Sequence, residues 1–461
     1  MFPPFLRLFF VVVFVQGKMV CRDDIGCASN DYPYWSNTRL ISIFPQSPEQ
    51  INTRFLMFTK KNTKEYQVLS ARNISTFHES NFDCRRKSVF IIHGYTEKGS
   101  DPWLVDLCQK ILETEDVNCF CVDWSGGSSA IYFQAMNNVQ IVGGEISYFS
   151  RVLVKNCNSS LSMILLIGHS LGAQVAGEAG KRTPGIPLII VLDAARPGFE
   201  NEAAEVSIDP TDADTVIAIH TDAGPIGLGM RKNIGDRDFI PNGGERQTGC
   251  DGSQIMDLEK AKSLLGAFRD LALCNHVSSY YLLISSFLAP GGLMGYCASS
   301  YSAFLEGDGF PCSNGSCSIM GYNTDPGNAS NCRVYYLNTG PRFDYQRWRY
   351  KVTVKTIGNE TFYGSLKITL YNSTDGSDTQ EIYSGLIERG REYSAFIDIH
   401  FPPPIPRVTF TWQKSLLSLL LNPTLWADLV SLIYGNDGSQ YQFCGGGTTE
   451  EGVAQTLTPC P

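Results

Sequence analysis

Positive charge is sparse in this chain and scattered. There are 37 Lys and Arg against 46 Asp and Glu, a net charge of −9, and the one tight basic cluster is Arg85-Arg86-Lys87. Nucleic-acid ligands require a dense basic face, so none is expected, and the cluster reads as a solvated strand entry. Zinc spacing is missing as well. The 15 cysteines include no C-x-x-C pair, which argues against a structural zinc. Repeats and low-complexity tracts are absent, and so is a second long apolar run. The first such run, Leu8–Val15, lies between Arg7 and the small Gly17. That is the layout of a signal peptide over residues 1–17, too short to cross a bilayer. Leu416–Leu421 is cut by Asn422-Pro423. A secreted, extracellular, soluble protein with no transmembrane segment is expected.

The cysteines fit an oxidising compartment. Close spacing suggests the pairs Cys21–Cys27, Cys108–Cys119, Cys250–Cys274, Cys312–Cys317 and Cys444–Cys460. Spacing alone does not prove connectivity, and Cys84, Cys157, Cys297 and Cys332 stay unassigned. An odd total leaves at least one thiol, and Cys121, inside the apolar run Cys119–Val122, is the candidate for a free core cysteine. Sequons at Asn73, Asn158, Asn314, Asn328, Asn359 and Asn372 suit a secreted glycoprotein.

A length of 461 residues allows two domains. From about Phe55 to His220, apolar runs at 89–92, 119–122, 163–167, 188–192 and 216–219 alternate with helix-like segments at 104–112, 139–154 and 173–181. Such alternation predicts a mostly parallel sheet with helices on both faces and function at the carboxyl ends of its strands. After about Tyr345 the pattern becomes alternating, as in Arg349–Lys355, Ser365–Leu370 and Val408–Trp412, which predicts an antiparallel β-sandwich. The expected organisation is a signal peptide at 1–17, a catalytic domain at 18–345 and a sandwich at 346–461, with Asn338–Pro341 as linker.

One stretch organises the rest. Ile164–Ile167 is an apolar run, Ala173–Ala179 is helix-forming, and between them lies Gly168-His169-Ser170-Leu171-Gly172. In G-x-S-x-G the serine occupies a tight strand-to-helix turn, and glycines let neighbouring backbone approach. A serine nucleophile needs a histidine base, and the base needs an orienting acid. In the order Ser, acid, His, the acid is Asp193, directly after the run Leu188–Leu192; the same residue also suits a turn or cap. Of six histidines, His78 and His93 precede the serine, His169 adjoins it, and His400 lies in the second domain. His220 and His276 remain. His276 is preferred because a disulfide at Cys274 can fix it, and His220 reads as structural. For the oxyanion hole, one donor is the N–H of Leu171 and the other the N–H of Tyr95, after Ile91-Ile92-His93-Gly94.

Taken together, these residues resemble the pancreatic lipase family, including its related proteins. The match runs from Lys18 to Cys460 and is specific at Phe90–Gly94, Asn118–Trp124, Gly168–Ala173, Asp238–Gly244, Cys274–His276 and Trp348–Val352. The resemblance implies an α/β hydrolase domain followed by a PLAT-type sandwich, a Ser170–Asp193–His276 triad and a carboxylester hydrolase acting on lipid. It implies a calcium ion near Asp209 and Asp212, with Ser207 giving a carbonyl. The family glutamate falls on Ala204, leaving Glu205 one place along; a helix-cap aspartate pair is the alternative for Asp209 and Asp212. Cys250 and Cys274 bracket the family's lid, where Leu258, Ala261, Leu264, Leu265, Phe268 and Leu271 recur at helical spacing; a structural helix is the alternative. The lid's length favours triacylglycerol. Two departures stand out: Ala194 replaces the proline after the acid, and Gly309 replaces the expected partner of Cys297, with Cys332 as the substitute suggested. The leading expectation is a secreted triacylglycerol lipase at a lipid–water interface, with colipase as a partner for the sandwich. A phospholipase A1 or galactolipase, and a catalytically silent lipid-binding relative, are the competing readings. The apolar segment Ser415–Trp426 is expected either as a buried strand or as a second lipid-contacting surface.

Overall fold

The computed structural model describes residues 18–250, 264–289, 291, 293–313, 315–325, 332–374, 376–418, 420–447 and 449–461, with backbone alone over 264–272. Two compact units make up the chain: residues up to Ile189 with Ala194–Asp214, and Ile190–Asp193 with Thr215–Pro461.

The first unit opens with a hairpin, β1 (Met19–Arg22) and β2 (Gly26–Ser29), cross-linked by Cys21–Cys27. Strands β3 (Arg54–Phe58), β4 (Gln67–Leu69), β5 (Ser88–Ile92), β6 (Asn118–Asp123) and β7 (Ile164–His169) then stand in the order β7-β5-β6-β3-β4. β5 runs parallel to both β6 and β7, whereas β3 pairs antiparallel with β6 and β4. Every residue of β5 and β6 is buried. Strands covered on both faces read as continuous apolar runs, which is why the sequence located them. Helices α1 (Pro102–Thr114), α2 (Tyr132–Cys157) and α3 (Leu171–Lys181) contain the three predicted segments. α2 begins earlier than apolar periodicity suggested, because its first turns bury amides. Asn138 donates to the Gly127 carbonyl (3.1 Å) and accepts from the Gln46 N–H (2.9 Å). Disulfides Cys108–Cys119 and Cys84–Cys157 lie in this unit, and Cys121 is a free, buried thiol.

β8 (Leu188–Leu192) contributes residues to both units. In the second unit, β9 (Thr215–Ile219), β10 (Arg237–Pro241), β11 (Leu293–Cys297), β12 (Cys317–Met320) and β13 (Val334–Leu337) stand in the order β12-β11-β13-β10-β9. β9, β10 and β13 are parallel, and β11 and β12 antiparallel. Helix α4 (Leu264–Ser286) lies between β10 and β11 in the chain. The predicted lid, 250–274, falls mostly outside the described residues, Leu258 and Ala261 included. At its end Cys274 lies within α4, joined to Cys250. No glycine or proline follows Gly266 in that segment, so nothing stops the helix there. Cys297 pairs with Cys332, and Cys312 with Cys317. A side chain at Gly309, where φ is +77°, would overlap the Cys297 carbonyl oxygen, so this backbone has no room for a cysteine at 309.

The sandwich comprises β14 (Trp348–Gly358), β15 (Phe362–Tyr371), β16 (Ser377–Ile387), β17 (Glu392–Ile399), β18 (Arg407–Lys414), β19 (Leu425–Tyr434), β20 (Gln440–Cys444) and β21 (Gln455–Pro459). Their order is β16-β15-β18-β21-β20-β19-β14-β17, all antiparallel, and Cys444–Cys460 closes the end. Alternate residues point inward: Tyr350, Val352 and Val354 from β14, Leu366, Ile368 and Leu370 from β15, and Phe410 and Trp412 from β18 form one core. The chain therefore has an α/β hydrolase fold followed by an antiparallel β-sandwich.

Candidate active site

In the first unit the G-x-S-x-G sequence forms the predicted turn. β7 ends at His169, α3 begins at Leu171, and Ser170 between them has a φ of +57°. A non-glycine residue in that region is strained and persists only where its surroundings enforce it. Here the glycines do so. A side chain at Gly168 would overlap the Gly172 carbonyl, and one at Gly172 would overlap the Ile92 carbonyl at the end of β5. Ser170 is 8% exposed, and its carbonyl accepts the N–H groups of Ala173 and Ala195 (both 3.1 Å).

The loop after β5 lies against that turn. A Cβ on Gly94 would stand 2.7 Å from Cβ of Ser170, so only glycine fits and Tyr95 follows directly. His93 anchors the loop from beneath. Its Nε2 accepts the Trp124 backbone N–H (3.1 Å), its carbonyl accepts the Trp124 indole N–H (2.9 Å), and the two rings stack. The Tyr95 ring meets Tyr132 edge-on at 5.2 Å. Leu171 occupies the first position of α3, where helix geometry leaves its N–H without an intrahelical acceptor.

In the second unit, Asp193 Oδ2 lies 2.6 Å from His276 Nδ1, and both residues are buried. The other oxygen, Oδ1, accepts the backbone N–H groups of Thr221 (2.8 Å) and Asp222 (3.1 Å). Asp193 also has a positive φ, +46°, and a side chain at Gly229 would overlap its carboxylate. The acid is thus held by backbone on one oxygen and presents the other to the ring. With Nδ1–H donating to Asp193, Nε2 is left as the basic nitrogen. His276 stands on α4, whose position is pinned by Cys250–Cys274 and by the Gln247 N–H donating to the Asn275 side chain (2.8 Å). Asp193, Asp222 and His276 are also the one group of three metal-type ligands found together among the described residues. The direct ring–carboxylate contact, with no room between for an ion, reads as an acid–base pair. His220 is occupied elsewhere: Nε2 meets Asp238 Oδ1 (2.7 Å) and Nδ1 meets the Met230 carbonyl (3.1 Å). Burial works against its protonation, but the Asp238 bond and charge outweigh burial and raise its pKa.

The loop after the acid is the predicted cation region. Asp209 Oδ1 accepts the Thr211 N–H (2.8 Å), while Lys181 Nζ reaches Asp212 Oδ2 (2.5 Å) and the Ser207 carbonyl (3.0 Å). Asp209 Oδ2 and Asp212 Oδ1 are buried and accept no hydrogen bond. Burial raises the Asp212 carboxyl to about 6. Two uncompensated carboxylate oxygens beside a backbone carbonyl are hard donors of the kind calcium selects, so these residues fit the ion. Glu205 borders the same cleft of about 790 Å³, with its side chain exposed and its carbonyl accepting the Tyr34 hydroxyl (3.4 Å).

Sequence reasoning did not single out Glu97, although its carboxylate accepts the Gly94 N–H (2.6 Å) and lies 3.2 Å from His169 Nδ1. The only local signal was an acid three residues past Gly94. Among the sequons, Asn73, Asn158 and Asn359 are exposed, Asn372 is half-buried, and Asn314 and Asn328 lie outside the described residues.

A family profile described as Lipase matches residues 18–345. Along nearly its whole length the chain is also similar to curated proteins. It is 41% identical over 463 residues to pancreatic triacylglycerol lipase of Mus musculus, covering 97% of each. It is 40% identical over 456 residues to pancreatic lipase-related protein 2 of Myocastor coypus, covering 96% of this chain and 97% of the relative. It is 39% identical over 467 residues to inactive pancreatic lipase-related protein 1 of Homo sapiens, covering 98% of each. The strained serine turn, the buried acid–histidine pair and this end-to-end similarity converge: the chain belongs to the lipase family, among the pancreatic lipases and their related proteins.

Proposed function

We propose that this protein is a secreted carboxylester hydrolase that cleaves triacylglycerol at a lipid–water interface with Ser170, His276 and Asp193. The observation that carries the reading is the 2.6 Å Asp193–His276 contact, with the second carboxylate oxygen locked by two backbone N–H groups. Chain connectivity supports adding Ser170, since Ala195, two residues beyond Asp193, donates to the Ser170 carbonyl. In the proposed reaction His276 Nε2 takes the serine proton as Oγ attacks the ester carbonyl carbon. The N–H groups of Leu171 and Tyr95 hold the resulting oxyanion. His276 then protonates the departing alcohol, and water attacks the acyl-enzyme by the same route in reverse.

The test is hydrolysis by the secreted protein of triacylglycerol, phospholipid and galactolipid, each with and without colipase. Highest turnover on triacylglycerol, increased by colipase in the presence of bile salt, is expected. A phospholipid or galactolipid preference would move the substrate assignment and keep the mechanism. The second reading, a lipid-binding protein without turnover, is favoured by the 39% identity to a relative named inactive, and absence of hydrolysis on all three substrates would establish it.

Interface contact is assigned to the sandwich segment that precedes β19. Leu416, Leu417 and Leu420 are 84%, 81% and 100% exposed, whereas Ser418 is buried and its hydroxyl accepts the Tyr363 N–H (2.8 Å). Leu419 lies outside the described residues. Trp426, the last residue of the segment read either as a buried strand or as a lipid-contacting surface, belongs to β19 opposite Ile357 and is half-buried there. Immersing a leucine fully is worth roughly 1.5–3 kcal/mol. Changing Leu416, Leu417 and Leu420 to serine should weaken adsorption to an emulsion at least about tenfold, with hydrolysis of a short soluble ester unchanged. Equal losses on both substrates would overturn the assignment of these leucines to interface contact.

For calcium, Asp209, Asp212 and the Ser207 carbonyl are the proposed ligands, with Glu205 at the rim. The ion would satisfy the two buried carboxylate oxygens that accept no hydrogen bond and brace the loop that follows the acid. Chelation should lower the melting temperature, and calcium at 100 times its dissociation constant would restore about 2.7 kcal/mol. Asp212→Asn should lose the response to calcium; an undiminished response would sink the assignment.

A further inference from the structure

The Glu97 carboxylate reaches the neighbours of two residues placed in the proposed chemistry. Oε2 accepts the N–H of Gly94, the residue before Tyr95, at 2.6 Å, and lies 3.2 Å from Nδ1 of His169, the residue before Ser170. Oε1 accepts the indole N–H of Trp103 (3.1 Å), and the Trp103 ring meets the His169 ring edge-on at 5.6 Å. All four residues belong to the first unit.

The loop that carries Glu97 needs such a tie. Thr96 has a φ of +63°, a left-handed conformation unfavourable for a β-branched residue. It is held by the Thr96 N–H donating to the Ser128 carbonyl (3.2 Å) and by the Ser128 hydroxyl donating to the Glu97 carbonyl (3.1 Å). The Gly94 backbone passes so close to Ser170 that a Cβ would stand 2.7 Å from the serine Cβ. A shift of the loop relative to the turn therefore changes the distance between the Tyr95 N–H and the serine oxygen.

We propose that Glu97 is a positioning residue, clamping the oxyanion loop to the nucleophile turn through Gly94 and His169. The inference rests on the serine-hydrolase reading above and adds a residue to it. Burial by itself would raise this carboxyl, but the His169 charge and hydrogen bond and the Gly94 N–H outweigh burial and hold it at about 2. It is thus an anion at working pH, and hydrogen bonds to an ionised acceptor are about twice as strong as neutral ones. A second consequence is geometric. Three donors converge on two carboxylate oxygens, and a glutamine amide offers only one acceptor. In Glu97→Gln, the NH2 group must face the N–H of Trp103 or that of Gly94, so the clamp cannot stay complete.

The experiment compares wild type, Glu97→Gln, Glu97→Asp and Trp103→Phe on a short soluble ester, together with the rate at which a phosphonate ester labels Ser170 and the melting temperature. A displacement of about 1 Å in an active site costs about 10²-fold. Glu97→Gln is expected to lower kcat and the labelling rate by that order, with KM within about threefold of wild type and melting little changed. Glu97→Asp should recover part of the loss. Trp103→Phe, which removes one donor and keeps a ring, should show a smaller loss of kcat and serves if Glu97→Gln is not secreted. Wild-type kcat in folded Glu97→Gln, or in Trp103→Phe where that variant alone is available, overturns the proposal. So does a loss that vanishes when rates are taken per folded molecule. If wild type itself neither hydrolyses the ester nor reacts with the phosphonate, the hydrolase reading fails, and that outcome is distinct from an active wild type with an equally active Glu97→Gln.

Discussion

Ser170→Ala should abolish ester hydrolysis while leaving secretion and adsorption to lipid droplets intact. The serine lies at a strained turn, φ +57°, enforced by Gly168, Gly172 and the carbonyl of Ile92. Alanine keeps that backbone and removes only the attacking oxygen. Loss of an activated nucleophile costs on the order of 10⁶ in turnover. The measurement is release of fatty acid from a triacylglycerol emulsion, with droplet binding as control for folding. Hydrolysis by the alanine variant within tenfold of wild type would rule Ser170 out as nucleophile.

The second large effect separates two buried histidines. His276→Ala should lose turnover to the same order as Ser170→Ala, since its Nδ1 bonds Asp193 and its Nε2 is the proposed base. His220→Ala should act on stability. It leaves Asp238 buried with its imidazole partner gone, the kind of change that costs about 3–5 kcal/mol. Its turnover per folded molecule should remain near wild type. Melting curves and rates measured on the same preparations decide the matter. A stable but inactive His220→Ala beside an active His276→Ala would reverse the assignment.

Much of the fold was legible because local physics writes itself into consecutive residues. Strands buried on both faces must be apolar throughout, so β5 to β9 appear as runs. Strands buried on one face alternate, so β14, β15 and β18 appear as period two. Helix α2 was only half visible, because Asn137 and Asn138 are buried polar residues that look like surface in the sequence. Asn138 is satisfied by the Gly127 carbonyl and the Gln46 N–H, and Asn137 by the Arg39 guanidinium and the Phe133 carbonyl. The segment Ser415–Trp426 stayed open between a buried strand and a lipid-contacting surface, and pairing opposite Ile357 puts Trp426 in the strand while Leu416, Leu417 and Leu420 stand exposed before it.

The serine turn and the need for glycine at 168 were determined by the sequence, since the apolar run, the turn and the helix-forming run are contiguous and Gly168 packs on the carbonyl of Gly172. Glycine at 94 and 172, by contrast, is required by contacts with Ser170 and Ile92 that only the tertiary structure makes. The tertiary structure decided what lies far apart in the chain. It brought His276 to Asp193 across 83 positions and His220 to Asp238, placed Cys84 beside Cys157 across 73, and set Glu97 against His169 across 72. No spacing rule encodes those meetings. They depend on which strands become neighbours, and that is settled by the packing of the whole core and not by any one stretch of it.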